Sequence, residues 1–327
     1  MPTRRRALLI LAALAGLAQL SIVLALMVGS VPVAWSDVVS TLISDGGGVS
    51  GDLVRSLRLP RALTGFACGG LLALAGALLQ VLLRNPLADP YVLGISGGAG
   101  IGALLAMVLD FAVAGINGCA FAGALGAMLL VFGLAHGDGG WTQSRLLLTG
   151  VIIAAGCGAV VTLILAVTPD DRLRGMLFWL MGDLSQGGEP QLALILMLGA
   201  LLVALPFARE LNVLARGADV AQALGVDVRR LRGGVYILAS LATAAAVTHA
   251  GAVGFIGLIV PHLVRLAAGN DQRLLLPASM LAGGSLLVIA DTLARTILAP
   301  QQLPVGVLTA LLGVPVFLFL LSRTAAR

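Results

Sequence analysis

Long apolar runs separated by short polar breaks set the architecture of this chain. The runs fall at 7–29, 62–83, 91–109, 112–135, 146–168, 191–207, 233–250, 252–268, 274–298 and 304–321. The second carries no charged residue and, wound as a helix, covers about 30 Å, the thickness of a bilayer's hydrocarbon core. Its glycines (Gly65, Gly69, Gly70, Gly76) suit helices that approach closely in lipid. The pattern predicts an all-α, polytopic membrane protein with about ten transmembrane helices, forming a single membrane domain over 1–327.

The break after the second run is the most informative one. Arg58 and Arg61 lead into the run, Arg84 closes it, and an NPLADP turn follows. Asp89 is placed to cap the next helix, with Pro90 in its first turn, where a missing N–H leaves nothing unsatisfied. The eighth run, 252–268, is short and contains Pro261 and His262, so whether it spans must come from charge. With ten spans and a cytoplasmic N-terminus, fourteen of the twenty arginines face the cytoplasm; omitting the eighth leaves eleven. The positive-inside bias therefore favours ten.

That parity makes spans two to five and seven to ten blocks of opposite orientation, the signature of an inverted repeat. Each block opens with a Gly/Ala-rich run and contains a proline-interrupted turn, NPLADP in one and VPHL in the other. Two loops look built rather than merely connective. Residues 168–190 carry an amphipathic piece with Phe178 and Trp179, predicting an interfacial helix. Residues 207–232 are polar, helix-compatible and broken at Gly217 and Gly225. They read either as a basic tether beside anionic headgroups or as short helices presented to a cytoplasmic partner.

Composition excludes several functions. The chain is 59% hydrophobic and 11% charged, with a mean hydropathy of +1.05, too apolar for a soluble domain. All twenty cations are arginine. The net charge of +5 is spread over the breaks, so it speaks to topology and not to nucleic acid. The absence of lysine rules out a phosphate-binding Walker loop, so any ATP-driven step needs another chain. Arg4, Arg5 and Arg6 before 7–29 resemble a signal peptide, but the apolar run is long and a retained first span is expected.

Cys68, Cys119 and Cys157 are isolated in apolar runs and read as packing residues. His136, His249 and His262 lack metal-ligand spacing. No paired carboxylates or nucleophile constellation is present. The expectation is a transport subunit and not an enzyme, with no metal and no cofactor.

Six stretches together resemble the permease subunits of bacterial ABC importers for vitamin B12, haem and ferric siderophores: Leu57 to Arg61, Asn85 to Gly100, Ser144 to Gly150, Ala223 to Val226, Gly254 to Leu266 and Leu303 to Phe317. The resemblance implies a multi-pass permease of the inner membrane with both termini cytoplasmic. Its partners would be a second copy of itself, two ATP-binding subunits and a periplasmic substrate-binding protein, in membrane lipid. It implies that 207–232 couples to the ATPase, with contacts at Ala221, Leu224 and Gly225.

It further implies that Arg58, Arg61 and Arg295 receive acidic residues of the binding protein, because a guanidinium fork pairs bidentately with carboxylate. Against this, Asp291 and Arg295 stand i, i+4 and can neutralise each other, and Arg58 and Arg61 can anchor at headgroups. Gln143 and Ser144 resemble the cytoplasmic gate, although Thr142 can simply cap that helix. The motifs fit cobalamin, haem and siderophore permeases alike, with Leu173 to Ser185 favouring cobalamin. An ion-coupled secondary transporter, the alternative class, needs buried acidic or histidine relays, and only Asp291 approaches one.

Overall fold

The structure, a computed structural model, describes residues 4–29, 31–43, 48–135, 142–185 and 189–325. His136, named above, and Arg327, one of the arginines counted as cytoplasmic, lie outside the described residues. The described residues contain helices and no strand.

In order these are α1 (Arg4–Met27), α2 (Trp35–Ile43) and α3 (Val49–Asp52), then a π-helical turn (Leu53–Arg58) that runs into α4 (Leu59–Leu82). A 3-10 turn (Pro90–Leu93) precedes α5 (Ile95–Val108), followed by α6 (Val113–Ala135), α7 (Gln143–Val167) and α8 (Asp170–Leu180). Next come α9 (Pro190–Ala204), α10 (Ala208–Leu214), α11 (Ala218–Ala223) and α12 (Val228–Ala250). The last are α13 (Ile256–Ala268), α14 (Gln272–Thr296) and α15 (Val305–Ala325).

Seven helical stretches are long and apolar enough to cross a bilayer, and three shorter apolar helices, in α5, α13 and α15, match the remaining runs. Two of the short ones correct the hydropathy reading. The runs 91–109 and 252–268 are not helical throughout: α5 has 14 residues and α13 has 13, about 20 Å each. The first is delayed by the 3-10 turn and by Gly94 at φ 74°, the second by an irregular stretch from Gly251 (φ 67°) to Phe255 (φ 69°). Hydropathy registers apolar side chains and is blind to such backbone breaks. Both breaks fall in the second run of their block of four, the position where an inverted repeat places paired discontinuous helices.

α4 is the axle of the fold. Every residue from Thr64 to Leu82 is buried, as expected for a helix that is apolar all round. It packs against α14, α12, α13 and α9. Glycine makes two of these approaches possible: a Cβ on Gly69 would stand 2.3 Å from the Gly283 carbonyl oxygen, and one on Gly76 would stand 1.9 Å from that of Gly257. The outer helices behave oppositely. Only 11% of the apolar window of α1, and 11% of that of α7, is buried, so these faces meet lipid or another chain.

The loop helix expected near Phe178 and Trp179 is present as α8, with Trp179 turned inward and Arg174 over the Phe178 ring at 5.7 Å.

Candidate functional site

Among the described residues, three polar clusters bear on function. The first is a recess of about 330 Å³ lined by Arg58, Arg61 and Arg295. Arg58 is 4% exposed; its Nη1 donates to the carbonyls of Leu26 (2.7 Å) and Met27 (3.1 Å), and its Nη2 to that of Val31. It thereby helps to satisfy the carbonyls at the C-terminal end of α1, where that of Met27 also accepts from the Val33 N–H.

Arg61 reaches across to α14, donating through Nη2 to Asp291 Oδ1 at 2.8 Å and through Nε to both oxygens at 3.1 and 3.0 Å. Arg295 approaches the same carboxylate through Nε at 3.2 Å. The expected i, i+4 pair is therefore present. The second guanidinium on Asp291, from a residue 230 positions away, had no signal in the sequence. Two guanidiniums thus share one buried carboxylate, and with Arg58 on the same wall the recess carries excess positive charge.

The second place is the junction of the two broken helices. Asp89 Oδ1 accepts from the Tyr91 N–H at 2.8 Å, and Pro90 fills the first position of the turn. The predicted cap is present, on a 3-10 turn. Tyr91 Oη then accepts from the Val253 N–H at 2.8 Å, fastening one irregular segment to the other. Leu93 and Val253 are both fully buried, and non-helical backbone at membrane depth is tolerated where protein covers it.

Pro261 has no N–H for the carbonyl four residues back, that of Gly257. Gln80 Nε2 of α4 supplies a donor instead, 3.0 Å from the Leu258 oxygen and 3.4 Å from that of Gly257. Tyr91→Phe is expected to lower stability by about 1–3 kcal/mol, because it strands the buried Val253 N–H. The check is the unfolding midpoint in detergent beside Tyr236→Phe, which removes a second donor from the Met128 carbonyl but leaves that carbonyl its partner within α6.

The third place is the edge formed by α10 and α11. Ala221 is fully buried, whereas Leu224 is 67% and Val220 44% exposed. Gly225, exposed at φ 81°, turns the chain toward α12. Asn212 on α10 bridges to the start of α14: its Nδ2 donates to Asp271 Oδ1 at 2.9 Å and its Oδ1 accepts from the Gln272 N–H at 2.8 Å. No pattern in the sequence singled out Asn212. On the same side, Gln143 Nε2 donates to the Leu82 carbonyl at 3.0 Å, Ser144 is exposed and Thr142 caps α7. Gln143 thus ties the start of α7 to the end of α4.

No group of three or more His, Cys, Asp or Glu is placed to hold a metal among the described residues.

A polytopic helical bundle with paired broken helices and a helical loop at one face is the plan of a permease, and comparison with known proteins supplies the lineage. The FecCD transport family matches residues 17–323. The chain belongs to that family.

Among FecCD relatives, the cobalamin import system permease protein BtuC of Halobacterium salinarum is 46% identical over 84% of this chain and 74% of its own length. The hemin transport system permease protein HmuU of Yersinia pestis is 40% identical over 82% of each. A solved structure described as an inward-facing conformation of a metal-chelate type ABC transporter superposes with a TM-score of 0.83 at 29% identity, covering 97% of this chain and 99% of that one. This FecCD chain is therefore a multi-pass membrane permease of the ABC importer type, a transport component and not an enzyme.

Proposed function

We propose that the chain carries a bulky metal chelate inward across the inner membrane, with cobalamin the first choice of cargo. The observation that supports this reading most is the 46% identity to a protein named as a cobalamin import permease. Haem is the second reading, favoured by the 40% identity to a hemin permease, and ferric siderophores belong to the same group of cargoes. Two copies would enclose the path between them, and the largely exposed, apolar α7 is suited to line it. Both termini would face the cytoplasm.

Two ATP-hydrolysing subunits would seat on α10 and α11. Exposed Leu224 and Val220 give the apolar contact, Gly225 sets the turn, and Ala221, packed inward, holds α11 in place. The power stroke would reach the spans by two routes: through the Asn212 bridge to α14, and directly through the turn into α12. Both helices pack on α4. At the cytoplasmic edge, Gln143 and Ser144 would form the gate, and parting α7 from α4 would break the bond from Gln143 to Leu82.

On the opposite face, Arg58, Arg61 and Arg295 would receive carboxylates of a periplasmic binding protein. The recess they line has one acid for three guanidiniums, so an incoming carboxylate finds unbalanced charge. Asp291 is no proton relay in this reading, since both of its oxygens are engaged by two arginines.

The test is reconstitution in vesicles with the ATPase and binding protein. ATP-dependent uptake of cyanocobalamin is expected, with haem and a ferric hydroxamate as competitors. Uphill uptake by the chain alone under an ion gradient would refute the reading. Asn212→Ala is expected to leave ATP hydrolysis within about twofold while lowering uptake about tenfold, since it cuts one of the two mechanical links; parallel loss of both activities would show that Asn212 serves only assembly.

A further inference from the structure

A cavity of about 990 Å³ opens on the arginine-rich side, and apart from the Asn212 bridge its walls have no part in the transport reading above. Arg6 of α1, Arg84 just after α4, Arg216 after α10 and Arg265 of α13 all line it, beside His262. One carboxylate lines it, Asp271, and that group is engaged by Asn212 Nδ2 and by the Arg273 N–H. Among the described residues, Arg84, Arg216 and Arg265 enter no ion pair. Guanidiniums gathered from four elements in one concave wall focus a positive potential, and their forked donors match a phosphate group.

Two details of the wall narrow the ligand. Arg84 holds a left-handed backbone, φ 46°, at the helix C-terminal position where glycine is usual, and so keeps a long cation on the rim. Gln80 is 3% exposed, and its Nε2 is committed to α13, yet its Oε1 is buried at the cavity without a partner. Gln272 Oε1, in a side chain 2% exposed, is also without one. The wall thus offers cations for an anion and, deeper, acceptors for a hydroxyl or amine.

We infer that this cavity binds an anionic phosphate ester that also carries hydroxyl or amine donors. The source is either an anionic lipid headgroup or a free organic phosphate. The rim on α1 sits near Leu8 and Leu9, which are 67% and 62% exposed, so a headgroup can enter with its acyl chains left in lipid. The inference is independent of the importer reading.

The test uses the purified full chain in detergent. Native mass spectrometry follows retention of phosphatidylglycerol against phosphatidylcholine, and thermal unfolding follows added glycerol 3-phosphate and inorganic phosphate. Preferential retention of phosphatidylglycerol is expected, weakened about tenfold or more by Arg84→Gln with Arg265→Gln, as for loss of a charge-assisted bond. Arg229→Gln with Arg230→Gln, outside the cavity, should change nothing. If the first pair does not fold, Arg216→Gln alone should weaken retention in the same sense.

Protection by glycerol 3-phosphate without lipid retention supports the same site with a soluble ligand. Equal retention of both lipids, or equal loss in both arginine pairs, overturns the inference. An acidic protein surface as the true occupant would leave every phosphate probe without effect, and that result overturns it too.

Discussion

Asp291→Asn is expected to destabilise the protein by about 3–5 kcal/mol, the usual result of removing one partner from a buried ionic cluster. The side chain is 2% exposed and lies between Arg61 at 2.8 Å and Arg295 at 3.2 Å. Asparagine keeps the shape and removes the charge, leaving two guanidiniums facing each other with Arg58 on the same recess. In a site this enclosed the repulsion is poorly screened. Tryptophan fluorescence during thermal unfolding in detergent gives the measurement.

Adding Arg295→Met should restore part of the loss, because it removes one of the stranded cations; a strongly non-additive double variant is the diagnostic sign. A single-variant change below about 0.5 kcal/mol would mean that the recess is well hydrated and that the carboxylate is not its keystone.

Gly76→Ala is expected to be nearly as damaging, at about 3 kcal/mol, the upper end of overpacking. The added methyl would meet the Gly257 carbonyl oxygen at 1.9 Å, its carbon at 2.5 Å and its Cα at 2.6 Å. All three are backbone atoms, so no rotamer change relieves the clash, and α13 must move away from α4. Behind Gly257 stands Pro90, 2.8 Å from where a Cβ on Gly257 would lie, so the displacement is passed on to the other broken segment. Gly199→Ala on α9, with nothing within 4 Å, is the control and should be neutral or slightly stabilising through helix propensity. Equal behaviour of the two variants would show that the contact yields easily.

Much of this was legible in the chain because membranes impose simple rules. The buried all-apolar α4, the Asp89 cap, the helix around Trp179 and the Asp291–Arg295 spacing each rest on local pattern, and local pattern survives folding. Contacts between distant segments left no such trace: Arg61 finds Asp291, and Asn212 finds Asp271, only after the helices assemble. Ala221 illustrates a different limit. A six-residue helix is too short for periodicity to say which side turns inward, and the structure turns that methyl in and Leu224 out. α2, with its own amphipathic face, went unseen because it is only nine residues long and no long apolar run announced it. The short α13 was hinted at by Pro261, whereas 91–109 read as an ordinary span; where each helix begins depends on left-handed residues, Gly94 and Phe255, which hydropathy cannot reveal.

The amide of Gln80 sits opposite two acceptors of α13 at unequal distances. A slide of α13 along α4 by a fraction of a turn would shorten one bond as it lengthened the other. The backbone opened by Pro261 would keep a donor throughout, and no bare carbonyl would meet lipid. The proline therefore leaves α13 moored to the axle by a side-chain amide spread over two carbonyls, where an ordinary helix would have served itself.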